Sequence, residues 1–162
     1  MEKKIVLTIR KVLIVLLIIW MVGVFFLSNQ KGDDSSAVSH KVALILSFGN
    51  EQKADIIEPT VRKVAHMTEY GVGAMLFYGI MLTYPKIRVK ARVGMTVGFI
   101  LVYAGLDELH QSFIDARNGS ILDVFIDCFG GAIGIGAMYL MEAMITMMDN
   151  KVKEELQKSQ NR

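Results

Sequence analysis

Four stretches of this chain are almost purely apolar, and the polar residues around them fall into compact blocks. The first run, Val12 to Gln30, holds no ionisable group. The second, Val64 to Tyr84, is closed by Pro85 and carries His66 and Glu69. The third, Val93 to about Phe113, admits charge only in its last turns, as Asp107-Glu108-Leu109-His110. The fourth, about Ile121 to Met148, opens with Asp123 and Asp127. Each is close to the ~20 residues that carry a helix across ~30 Å of hydrocarbon. A short chain with runs this long cannot close a membrane barrel. The pattern therefore predicts an all-α polytopic membrane protein, a single domain of four transmembrane helices over residues 12–30, 64–84, 93–113 and 121–148.

Basic residues set the expected orientation. Lys3, Lys4, Arg10 and Lys11 precede the first run, and Lys86, Arg88, Lys90 and Arg92 fill the short connection after the second. The connection between the third and fourth carries only Arg117, and the tail carries Lys151, Lys153, Lys158 and Arg162. Cytoplasmic loops retain Lys and Arg, so both termini and residues 86–92 are expected inside. The basic start resembles a secretory signal, but its apolar stretch is too long for an h-region and no A-x-A-like site precedes Lys31. It reads as a retained first span. Residues 28–63 form the outer connection, where Lys41 to Phe48 is too short to cross. That segment suits either an interfacial helix or a loop over the bundle mouth. Residues 149–162 read as a solvated cytoplasmic helix extension.

Composition agrees with this plan. Hydrophobic residues are 52% of the chain and the mean hydropathy is +0.40, while charges are grouped rather than spread. The net charge of +2, with no Lys/Arg cluster interleaved with aromatics, is too small to suggest a nucleic-acid partner, and none is expected. The single Cys128 excludes an intrachain disulfide and a cysteine-ligated zinc, and reads as a small buried hydrophobe.

In that topology the awkward polar residues gather at one membrane depth, at the outer face. Helical spacing sorts them onto stripes: Lys63, His66, Tyr70 and Gly73; Ala104, Asp107, Glu108 and Gln111; Asp123, Asp127, Gly131, Gly134 and Met138. Gly130 and Gly134 form a small-xxx-small pair that permits close helix approach, within the chain or in a homodimer. Ser120-Ile-Leu-Asp123 has the form of a capping box, which gives Asp123 a structural explanation. Asp127 has no cap to serve; its structural explanation is a pairing with Arg117 or Lys63. Intramembrane ionisable clusters default to function. Arg62, Lys63 and Arg117 offer donors for a phosphate, and His66 or a carboxylate can handle a proton. H-E-x-x-H is absent and the spacing of His66, His110 and the carboxylates selects no metal, so no metal or cofactor is assigned.

These residues resemble the VanZ-like family of small bacterial membrane proteins. The resemblance rests on Arg62-Lys63-x-x-His66-x-x-x-Tyr70 and Asp107-Glu108-x-x-Gln111-x-Phe113, followed by Arg117, Gly119 and Asp123. Asp127 departs from it, standing where the family more often has an amide, and Ile114-Asp115-Ala116 replaces a proline-glycine turn. The resemblance implies a multi-pass protein of the cell envelope, associated with resistance to the glycopeptide teicoplanin, but no defined reaction. The expected function is binding, and in an enzyme modification, of a membrane lipid or lipid-linked envelope precursor at an outward-facing polar pocket. His66, Glu69 and Asp107 are the candidate proton-handling groups. Arg62, Lys63, Tyr70, Glu108, Gln111, Arg117, Asp123 and Asp127 are the candidate head-group contacts. The competing readings are a non-catalytic protein that binds the antibiotic or supports an envelope complex, and a lipid flippase.

Overall fold

The computed structural model describes residues 2–29, 32–114 and 119–160. They form five helices and, among the described residues, no strand: α1 (Glu2–Ser28), α2 (Gly32–Leu46), α3 (Glu51–Leu82), α4 (Val89–Gln111) and α5 (Ile121–Gln160). By length and composition, three are able to cross a membrane: Lys3–Ser28 in α1, α4, and α5. α3 falls outside that group, because His66, Glu69 and Tyr70 interrupt its apolar half and a polar stretch precedes it. It is instead the central helix, packed against each of the other four. Tyr70 is fully buried among them, and His66 and Glu69 are half-buried.

The connection between the first two apolar runs holds more helix than the sequence suggests. α3 begins at Glu51, well before the apolar run, with Asn50 as N-cap accepting from the Lys53 N–H at 3.0 Å. α2 packs on this first part of α3. His40 Nε2 lies 3.0 Å from Asp55 Oδ1, Ser39 bonds Glu58, and Arg62 donates to Ser36 Oγ at 3.0 Å. The α2–α3 turn closes with the Gly49 N–H on Leu44 O at 2.9 Å and Phe48 at φ 53°. That left-handed position favours glycine. Here it holds a phenylalanine that is 98% exposed.

The core lies where α1, α3, α4 and α5 meet: Val24, Tyr70, Ala74, Tyr78, Ile100, Ala104 and Ile135. Trp20 of α1 stands edge-on to Tyr70, ring centroids 5.9 Å apart, and its Nε1 donates to Glu69 O at 2.9 Å. Gly73 makes this possible, since a Cβ there would sit 2.3 Å from Trp20 Cζ2. The tightest seam joins α3 to α5. A Cβ at Gly130 would lie 2.1 Å from Met67 O, and one at Gly134 would lie 2.3 Å from Gly71 O. Both glycines are thus covered by α3 of the same chain. Large apolar side chains point outward along the bundle, among them Ile19, Phe26, Val102, Phe129 and Leu140. Exposed apolar surface of that extent suits lipid rather than water.

At the end opposite the carboxylates, Arg10 donates to Thr83 Oγ1 at 2.9 Å and Thr83 O at 2.8 Å, and lies over the Tyr84 ring. Arg92 departs from the sequence reading. Rather than a free charge in a basic loop, it is only 8% exposed and forms an ion pair with Glu142 of α5. Tyr78 Oη donates to the other Glu142 oxygen at 2.7 Å. A guanidinium at this depth is tolerable only with such a partner.

Candidate functional site

The second polar group lies at the end of the bundle where α1 and α4 stop and α5 starts. Residues three and four apart on a helix share a face, and the α4 stripe of Ala104, Asp107, Glu108 and Gln111 is buried as a unit. Asp107 Oδ2 accepts two hydrogen bonds, from Tyr70 Oη at 3.1 Å and from Gln111 Nε2 at 2.9 Å. Gln111 Nε2 also stands 3.5 Å from Ser28 Oγ, linking the site to the end of α1. Ser28 is buried, and nothing in its sequence context marked it.

Glu108 reaches α5. Its Oε2 accepts the Ser120 N–H at 2.8 Å, while Ser120 Oγ accepts from the Leu122 N–H at 3.2 Å. In a capping box the acid at the third helical position takes the N-cap amide. Here Glu108 of the neighbouring helix takes it, so the expected role of Asp123 passes to a tertiary contact. Gly119 allows the approach, because a Cβ there would be 2.4 Å from Glu108 O. Asp123 is left half-buried, one turn before Asp127.

Asp127 is 1% exposed, and among the described residues neither carboxylate oxygen has a hydrogen-bond partner. One oxygen each from Asp107, Glu108 and Asp127 lies within 4.8 Å of the others. The structure thus brings together Tyr70, Asp107, Glu108, Gln111 and Asp127 from three helices. His66 and Glu69 lie on the same helix as Tyr70, half-buried, with Nδ1 and Oε2 4.0 Å apart. That is an ion-pair distance if the histidine is charged, and too long for a hydrogen bond.

The expected cations are placed differently. Arg62 turns to α2, bonded to Ser36 and 3.8 Å from Glu58. Lys63 is exposed and forms no ion pair with Asp127. Arg117 lies outside the described residues. His110, a candidate ligand by type, stacks its ring on Phe25 with centroids 4.8 Å apart. Among the described residues, the site is dominated by acceptors. It suits hydroxyl, ammonium or cation ligands better than a bare phosphate.

Apolar helices of membrane length around a buried polar cluster define a helical membrane protein. The chain belongs to the VanZ-like family: the VanZ/LLP1 family model matches residues 13–142, most of its length. No curated protein and no solved structure matches it. Membership suggests a cell-envelope protein linked to glycopeptide resistance.

Proposed function

We propose that this chain is a four-span protein of the cell membrane with both termini cytoplasmic. Its carboxylate-lined end opens to the extracytoplasmic face and binds the head group of a lipid or lipid-linked envelope precursor. The observation that carries the reading is Asp127: a buried carboxylate with no partner among the described residues, set beside two others that are held in place. Unsatisfied buried groups are rare, and each calls for an explanation. A ligand bearing hydroxyls or positive charge supplies one. Tyr70, Gln111 and Ser120 orient the acceptors, and His66 with Glu69, on the same helix as Tyr70, are the candidates to handle a proton.

The apolar core between this end and the Arg92–Glu142 pair argues against a continuous polar path, and so against a flippase. Binding without turnover is separated from modification by substitution. The test deletes and overexpresses the gene, profiles envelope lipids and lipid-linked precursors, and scores teicoplanin sensitivity. Complementation with Asp107→Asn follows, at matched membrane levels. Modification requires a changed lipid profile that Asp107→Asn abolishes. Changed sensitivity with an unaltered profile selects the antibiotic-binding reading. No change in either sinks the envelope role of this site.

The topology has its own check. Alkaline phosphatase fused within residues 49–51 is expected to be active. Green fluorescent protein fused after Arg162 is expected to fluoresce, as it folds only in the cytoplasm. The reverse pattern overturns the orientation.

A further inference from the structure

We propose that Asp107, Glu108 and Asp127 form a binding site for a hard divalent cation of the magnesium, manganese or calcium class. Oxygen ligands stand ~2.0–2.6 Å from such ions, so any two are separated by at most about 5 Å. The three carboxylates present one oxygen each within 4.8 Å of one another, and all three residues are buried.

A cluster of acids is not by itself a site. The independent observation is Asp127, 1% exposed with both oxygens unpartnered among the described residues, and aimed at the other two carboxylates. A charge so placed is strongly unfavourable unless a counter-charge meets it. Its neighbours have the preparation expected of ligands. Asp107 commits Oδ2 to Tyr70 and Gln111, and Glu108 commits Oε2 to the Ser120 amide. Outer hydrogen bonds of this kind orient ligating carboxylates and fix their geometry.

Chemistry selects the ion class. All three donors are carboxylate oxygens, which suit hard cations; zinc and copper favour nitrogen and sulfur. His110 is turned onto Phe25 and does not join the set. Three protein ligands leave coordination positions for water or for an oxygen of a bound head group. The inference goes beyond the head-group reading and does not rest on it, because the ion binds the protein alone.

The experiment uses the full chain, purified in detergent, stripped with a chelator and titrated with Mn2+ while free ion is followed by paramagnetic resonance. One Mn2+ per chain is expected, displaced by excess Mg2+ or Ca2+. Asp127→Asn conserves volume and should weaken binding roughly tenfold or more, as should Asp107→Asn. Asp149→Asn, in the exposed tail, should leave it unchanged. A nitroxide on Cys128, next to Asp127 and the chain's single cysteine, locates the ion in the otherwise unaltered protein, whatever the folding of the variants. Bound Mn2+ should broaden its signal. The proposal is overturned by no saturable binding at millimolar Mn2+, by binding that folded Asp127→Asn leaves intact, or by bound Mn2+ that fails to broaden the label. A bound ion with no lipid or antibiotic phenotype would leave this site standing and remove only the head-group reading.

Discussion

At the scale of single residues, the site is a set of acceptors held by few donors. Asp107 shows how much depends on each. Its Oδ2 is shared by Tyr70 and Gln111, and bonds to a charged acceptor in a buried place contribute about 1.5–3 kcal/mol each. Tyr70→Phe should therefore destabilise the purified protein by about that much, read from unfolding in detergent. Adding Gln111→Leu should cost more than the sum of the singles, because the second loss leaves that oxygen with no donor. A strictly additive pair would mean the two donors do not share Asp107. The motif residues of this acceptor set were legible in the sequence, since ionisable residues inside apolar helices are costly and stand out. Ser28 was not, because a serine at a helix end is unremarkable until Gln111 meets it.

Helix–helix packing decides how close those residues come. The α3–α5 seam has almost no tolerance, with Gly130 and Gly134 lying against the backbone of Met67 and Gly71. Gly134→Ala must push the helices apart, at a cost of about 1–3 kcal/mol. Gly136, two residues on, has nothing within 4 Å of a built Cβ. Gly136→Ala should instead be neutral or stabilising by up to about 1 kcal/mol, from helix propensity alone. Thermal unfolding of the two variants side by side checks the assignment of the seam; equal effects would refute it. The small-residue pair was visible in the sequence, but not which helix fills it. The same holds at the start of α5, where the spacing of Ser120 and Asp123 suggested a local cap and Glu108 of α4 supplies it.

Across the whole molecule, two polar groups lie at opposite ends of an apolar core. The Arg92–Glu142 pair, with Tyr78, ties α4 to α5 at one end as the carboxylates do at the other. Arg92→Ala should cost about 3–5 kcal/mol, since it strands Glu142 in a largely buried position. An Arg92→Met, Glu142→Leu double variant should recover most of that loss, because it removes both charges. A double variant as unstable as the single would point to packing rather than charge.

What the sequence determined alone is the part governed by lipid and by helical periodicity. Apolar runs, basic blocks and carboxylate spacing were enough for an all-helical membrane protein of the VanZ-like family, with the α4 and α5 stripes turned inward. α3 shows the limit of hydropathy, as Tyr70 is buried and His66 and Glu69 are half-buried among neighbouring helices, and its first half meets α2. Only the tertiary structure decided which charges meet. It set Arg62 against α2, buried Arg92 on Glu142, and left Asp127, beside Asp107 and Glu108, with no partner of its own among the described residues. The physical reason is that periodicity fixes the face of a helix on which a residue lies, whereas a charge is satisfied by whatever the neighbouring helix presents at the same height.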